Sequence, residues 1–244
     1  MSKVVVITGA STGLGLAAAV LLAKHSHVVY ATMRNLDKRG AIEKAAEEAG
    51  VSGSGHLHVT QLDVTDEHSV TAALGSPLLF LLDYGYRFLI IINSGGILEK
   101  EGRIDVLVNN AGYALAGAVD DLSIEEEAKA LFDTNLWGVA RTVKATLPYF
   151  RKQGSGQIIN VASIGGLIGF PYQEYYCASK FALEGYTESL AISNAKLNIK
   201  VSPRCFSLPT LTTRPFRCLL SNPLRSRLLS SKNPPCLKAS AMKE

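Results

Sequence analysis

The chain has 244 residues, 47% of them hydrophobic and 19% charged, with a formal net charge of +4. That length suffices for one α/β domain with a sizeable core, and the composition excludes a disordered or fibrous chain. The positive balance does not point to nucleic acid: of 25 Lys/Arg and 21 Asp/Glu, nine and one fall in residues 200–244, so the remainder is net −4.

In chain order, "KVVVIT" is a β-branched run that predicts a buried strand from Val4. The glycine-rich "GASTGLG" follows, then the Ala-rich helix "LAAAVLLAKH". "HVVYAT" is a second strand, "DKRGAIEKAAEEAG" a helix closed by Gly50, and "LHVTQLDV" a third strand. "TDEHSVTAAL" opens a helix for which Thr65 is the predicted N-cap. "RIDVLVNNAG" is a strand ending in a turn, and residues 123–152 read as one long helix or two abutting ones. "GQIINVAS" is the next strand, "YCASKFALEGYTESLAISNA" the next helix, and "NIKVS" begins one more strand. This alternation predicts a doubly wound parallel sheet covered by helices on both faces, with ligands bound at the carboxyl ends of its strands.

Two segments break the rhythm. Residues 75–95, "GSPLLFLLDYGYRFLIIINSG", interrupt what would otherwise be a continuous amphipathic helix from "SVTAAL" into "GILEKEGRID". Their apolar runs around "DYGY" predict a hairpin. Asp83 and Arg87 make the stretch a poor membrane span. Residues 202–244 hold six of the nine prolines and no periodicity, so a catalytic domain over 1–201 and a poorly ordered basic tail are expected. The cysteines, Cys177, Cys205, Cys218 and Cys236, show no ligand spacing. Neither a metal site nor a disulfide framework is expected, and a reducing, cytoplasmic setting fits. With a strand predicted from Val4, no leader peptide is expected within these residues.

Three constellations carry chemistry. In "TGASTGLG" (8–15), Gly9, Gly13 and Gly15 let the backbone approach a pyrophosphate at a helix N-terminus. Such a turn can also be mere tight packing; its place after the first strand favours nucleotide. Tyr176 and Lys180 are four apart and share a helix face, whereas Tyr175 points elsewhere. A phenol is a weak acid, and an ammonium held beside it favours its ionised form, so the pair reads as a proton carrier with its charge partner. The bland alternative is a packing tyrosine and a lysine lying along the surface. Ser163, after the strand "GQIINVA", is placed either to cap a helix or to donate to a carbonyl oxygen on which charge develops.

TGxxxGxG, "NNAG" (109–112) and YxxxK (176–180), in this order, resemble the short-chain dehydrogenases/reductases over about residues 3–201, with the segment 75–95 set aside. "GGLIGFPYQEYYCASKFALEGYTESLA" is similar to the steroid- and retinol-type branch. The resemblance implies Asn135, Ser163, Tyr176 and Lys180 as catalytic residues. It also implies a cofactor along Gly9, Ser11, Gly13, Leu14 and Gly15, with Asp63 and Val64 by the adenine. Asn110, Ala111 and Gly112 would lie along its length, and Lys180 on the nicotinamide ribose. For Asn135 the alternative is a polar residue satisfying an irregular helix. No acid ends the second strand. "YATMRN" places Arg34 there, with Ser11 near it, which favours NADP(H) over NAD(H), though Arg34 also reads as a solvated loop charge. The implied substrate is a small apolar alcohol or carbonyl compound, steroid-, retinoid- or lipid-like, bordered by the Gly169–Tyr172 loop. A homodimer through the Tyr176 helix is implied, with Ala178, Ala182 and Gly185 allowing close approach. Neither a nucleic-acid partner nor a membrane span is expected. After "NIKVS" the family's Pro-Gly loop and final strand are not recognisable, so the last strands are expected to be missing. A catalytically weak nucleotide-binding or interaction protein of the same fold is the alternative function.

Overall fold

The computed structural model describes residues 1–75, 78–83, 87–92 and 95–205, within one compact unit, Met1–Phe206. The expected basic tail lies, beyond Cys205, outside the described residues. The strands are β1 (Val4–Ile7), β2 (Val28–Met33), β3 (Leu57–Gln61), β4 (Leu78–Asp83), β5 (Arg87–Ile92), β6 (Val106–Asn109), β7 (Gly156–Ala162) and β8 (Ile199–Cys205). The α-helices are α1 (Gly13–Lys24), α2 (Gly40–Glu48), α3 (Glu67–Leu74), α4 (Ile97–Glu101), α5 (Lys129–Phe132), α6 (Gly138–Gln153) and α7 (Glu174–Asn194).

Six strands form one parallel sheet in the order β3-β2-β1-β6-β7-β8, the doubly wound α/β arrangement the alternation predicts. The order reverses at β1, which opens a crevice above its carboxyl end. Both faces are apolar because each strand sends alternate side chains to opposite sides. Val5 and Ile7 of β1 join the core under α1 and α2 with Ala19, Ala23, Ile42 and Ala46. Val4 and Val6 join the opposite core with Leu107, Phe150, Ile158 and Leu183. Among the described residues β8 pairs only with β7 and is the sheet's edge. Pro203 sits in β8, where a missing N–H is tolerated.

The insertion is a separate two-stranded sheet. β4 and β5 pair antiparallel from Leu78 opposite Ile92 to Asp83 opposite Arg87. Its flanks come together: a Cβ on Gly96 would lie 2.2 Å from the Gly75 nitrogen and 2.7 Å from the Ala72 carbonyl oxygen. The chain thus leaves α3 and re-enters before α4 at almost one point, which lets the sheet ignore the extra residues. α4 is tied back to the sheet by the Tyr30 hydroxyl, which donates to Glu101 at 2.6 Å. Tyr30 also stacks on His58. Burial and this carboxylate push the Tyr30 phenol well above the usual tyrosine range.

Thr65 does not cap α3. Its amide and hydroxyl both donate to the Asp63 carboxylate, at 2.9 and 2.7 Å. Asp66 accepts from the His68 amide and is the N-cap. A carboxylate two residues upstream competes for the threonine and wins, leaving the next acid to cap.

The second core contains a fully connected polar chain. Thr142 of α6 donates to Asn109 Oδ1 (2.7 Å), Asn109 Nδ2 to Asn160 Oδ1 (2.9 Å), and Asn160 Nδ2 to Thr187 of α7 (2.8 Å). Thr187 donates on to the Leu183 carbonyl at 2.6 Å. All four side chains are at most 2% exposed. Removing a middle member leaves buried partners unsatisfied. Asn160→Ala is expected to cost about 3 kcal/mol, read as a lowered urea midpoint with unchanged slope. An unchanged midpoint would show that the chain does not hold β6, β7, α6 and α7 together.

Candidate active site

At the carboxyl ends of the strands lies an open cavity of about 580 Å³. One end is built by the first turn. α1 starts at Gly13 after Thr12, whose side chain makes no capping bond, so first-turn N–H groups face the cleft without a side-chain partner. Gly15 is required by close approach: a Cβ there would meet Asn110 Nδ2 at 2.4 Å and the Gly9 carbonyl oxygen at 2.6 Å. Asn110 holds the turn, donating from Nδ2 to the carbonyls of Thr8 (3.0 Å) and Gly9 (2.9 Å). The Thr8 hydroxyl accepts from the amides of Asn110 and Ala111, each at 3.0 Å. Residues distant in sequence, "TG" and "NNA", are thus one structural unit.

Gly9, Ser11, Gly13, Leu14, Arg34, Asp63, Val64, Asn110, Ala111, Gly112, Ser163, Tyr176 and Lys180 all line this cavity. Gly15 and Asn135 stand behind its wall, and Tyr175 is not part of it. Arg34 is exposed at the end of β2. Burial pushes the Tyr113 phenol up and the Arg34 guanidinium pulls it partly back. Val64 is fixed from α6: Arg141 donates to its carbonyl at 3.2 Å and pairs with Asp133 at 2.6 Å.

The other end gathers Ser163, Tyr176 and Lys180. Lys180, only 7% exposed, donates to the Val161 carbonyl at 3.1 Å, and its Nζ lies 6.0 Å from the centre of the Tyr176 ring. Ser163 accepts from the Gly165 amide at 3.1 Å and caps the short turn that follows. Its Oγ is 3.5 Å, and Tyr176 Cε1 3.2 Å, from the point a Cβ on Gly165 would occupy, so both side chains flank one residue. The helix-cap role of Ser163 and its presentation to the cavity are compatible.

Asn135 is fully buried, in a π-helical turn (Asp133–Trp137) between α5 and α6. Such turns occur frequently at functional sites. Its Oδ1 accepts from the Tyr113 amide at 3.0 Å, and its Nδ2 donates to the Tyr113 carbonyl (3.0 Å) and to Ser179 Oγ (3.1 Å). Ser179 in turn donates to the Tyr176 carbonyl at 2.8 Å. Gly112 permits this closeness, since a Cβ there would fall 2.9 Å from Asn135 Oδ1 and 3.6 Å from Lys180 Nζ.

Sequence reasoning missed Ser179 as the link between Asn135 and the Tyr176 helix; its i+3 spacing from Tyr176 was the available signal. It also missed Tyr113 and Thr134 in the cavity wall, for which no local signal existed.

A dinucleotide fits the cleft. The missing side chain at Gly15 and the uncapped α1 turn are what a pyrophosphate requires. Among the described residues, no three His, Cys, Asp or Glu side chains are grouped to hold a metal ion, and no helix is long and apolar enough to cross a membrane.

The comparisons agree with this geometry. The family model "short chain dehydrogenase" matches residues 3–77 and 93–212, leaving out the hairpin. The chain is 39% identical over 199 residues to a 3-ketodihydrosphingosine reductase of Bacteroides thetaiotaomicron, covering 82% of this chain and 61% of the relative. It is 40% identical over 204 residues to estradiol 17-beta-dehydrogenase 1 of Rattus norvegicus, covering 82% and 52%. The chain therefore spans between half and two thirds of these relatives' length. A metagenomic short-chain oxidoreductase solved in complex with NADP superposes with a TM-score of 0.69 at 28% identity, over 85% of this chain and 84% of that one. Turn, sheet order and paired Tyr176–Lys180 thus converge on one conclusion: the chain belongs to the short-chain dehydrogenase/reductase family.

Proposed function

We propose that the chain is an NADP(H)-dependent oxidoreductase that interconverts an alcohol and a carbonyl on an apolar, steroid-, retinoid- or lipid-like substrate. The observation that carries this reading is the meeting of Ser163, Tyr176 and Lys180 at one end of a cavity whose other end is the glycine turn. The relatives named above act, by name, on a ketosphingoid base and a steroid, which supports an apolar substrate.

The bound cofactor supplies the hydride. Tyr176 gives the proton to the carbonyl oxygen, or takes it in the reverse direction. Lys180, anchored on Val161, holds its Nζ 6.0 Å from the centre of the Tyr176 ring, so its positive charge faces the site as the proton leaves. Ser163 donates to the same oxygen as charge grows on it. With both side-chain donors committed, Asn135 holds the β6 loop against the Tyr176 helix; connecting the proton relay to solvent is the role the family resemblance implies for it. Arg34 meets the 2′-phosphate. The catalytic unit is residues 1–201. A homodimer through α7 belongs to the same reading, with Ala178 and Gly185 exposed and Ala182 half-buried on that helix.

One observation favours a second reading, a nucleotide-binding protein with little turnover. The sheet ends, among the described residues, at β8 beside the substrate end, so less surrounds that end to exclude water. NADPH binding without carbonyl reduction would select it.

Two outcomes test the main reading. NADPH should support reduction at least tenfold more efficiently than NADH, and Arg34→Ala should erase most of that preference; equal efficiency with NADH in the wild type contradicts the cofactor assignment. Tyr176→Phe should lower kcat by at least about 10³-fold while the dissociation constant for NADPH, followed by fluorescence, stays within threefold. Substantial residual turnover contradicts the role of Tyr176.

A further inference from the structure

Part of the cavity wall is held by a residue that does not belong to it. The cavity is lined by Leu62, Asp63, Val64 and Thr65 after β3, and by Thr134 of the π-helical turn. Arg141, in the first turn of α6, is not among the lining residues. Through Nη1 it donates to the carbonyls of Val64 (3.2 Å) and Asp133 (3.4 Å), and through Nη2 to the Asp133 carboxylate (2.6 Å). One side chain thus ties the loop after β3 to the first residue of the π-helical turn, and Thr134 is the next residue. A planar fork serves several acceptors held in fixed places; an ammonium on a flexible stem serves them poorly.

Val64 has no slack at this contact. It is buried, and a Cβ on Gly138 would lie 2.7 Å from its Cγ2 and 2.9 Å from its Cβ. The start of α6 therefore packs on Val64 at Gly138 and bonds its carbonyl from Arg141, almost one turn on. Asp63 before it is fixed too, its amide donating to Ser69 Oγ at 2.9 Å. A contrasting ion pair lies on the same helix. Lys144 reaches Glu67 of α3 at 2.8 Å, with side chains 76% and 61% exposed, and neither residue lines the cavity. Such a surface pair contributes little. The Arg141 and Asp133 side chains are only 26% and 35% exposed, and Arg141 adds a bond into the cavity wall.

We propose that Arg141 is a positioning residue for the adenosine half of the cofactor: it holds Val64 against the π-helical turn and keeps that part of the cleft in its binding shape, without touching the cofactor. The inference rests on the NADP(H)-dependent reading, in which Val64 lies by the adenine, and adds to it the residue that braces this wall. Asn135, in the same turn, is held separately by Tyr113 and Ser179. Loss of the Arg141 bridge therefore acts on cofactor binding and spares the chemical step.

The test is calorimetric titration of 2′,5′-ADP, the adenosine half of NADPH, into the full chain and its variants Arg141→Lys, Arg141→Ala and Lys144→Ala. Steady-state reduction of a steroid ketone by NADPH accompanies it. Lysine keeps a positive charge beside Asp133 and gives up the fork. In both Arg141 variants the Kd for 2′,5′-ADP should rise about tenfold. The KM for NADPH should rise with it, while kcat at saturating NADPH stays within about threefold. Lys144→Ala should leave the Kd within about twofold of wild type. The melting temperature of Arg141→Lys should stay within about 2 °C of wild type, which separates a lost bridge from a lost fold. Wild-type affinity in Arg141→Lys overturns the inference and leaves the oxidoreductase reading intact. So does a fall in kcat with an unchanged Kd. An equal rise in Lys144→Ala overturns it as well, because any lost ion pair on α6 would then do the same. Failure of the wild-type chain to bind 2′,5′-ADP overturns the NADP(H) reading, and this inference with it.

Discussion

The arrangement depends on one buried polar chain, from Thr142 through Asn109 and Asn160 to Thr187. It joins two neighbouring strands, β6 and β7, to the two helices α6 and α7 that cover them. Apolar packing alone would let a helix slide over a sheet by a fraction of a turn at little cost. A connected chain of buried hydrogen bonds does not, because each misplaced member strands a polar group in the core. Asn109 opens the segment that lines the nucleotide end, and α7 carries the paired tyrosine and lysine. The chain therefore helps to fix the spacing between the glycine-turn end of the cleft and the Tyr176–Lys180 pair.

A second layer of contacts carries that placement to Tyr176 and Lys180. Asn135 joins the loop after β6 to the Tyr176 helix through Tyr113 and Ser179. Lys180 joins the same helix to β7 through Val161. Gly112 and Gly15 contribute by having no side chain, since each marks a place where two elements come closer than a Cβ allows. The cleft is built chiefly by segments at strand ends, each held by a partner more than 15 residues away. That is how a loop-built site achieves a rigid geometry.

Much of this was legible in the sequence, and the reason is local periodicity. The alternation of β-branched runs with Ala-rich amphipathic stretches specified the sheet, and the i, i+4 spacing separated Tyr176 from Tyr175. The apolar runs on either side of "DYGY" specified the hairpin strands, and the broken helix pattern around them showed that they were inserted. What was not legible was long-range. Nothing near Asn160 announces that it will bond Asn109 across the sheet, and a threonine at 142 or 187 reads as an ordinary helix residue. Thr65 failed as a cap because Asp63, two residues back, was the stronger partner.

The proposed reaction moves hydride between a nicotinamide bound in this cleft and a carbonyl carbon. The most direct measurement is a single turnover with NADPH deuterated at both C4 positions, with a ketone in excess and the alcohol product examined by mass spectrometry. One deuterium on the carbinol carbon of each product molecule is the predicted result. Saturable NADPH binding with no deuterium transferred to any of a range of apolar ketones would contradict it.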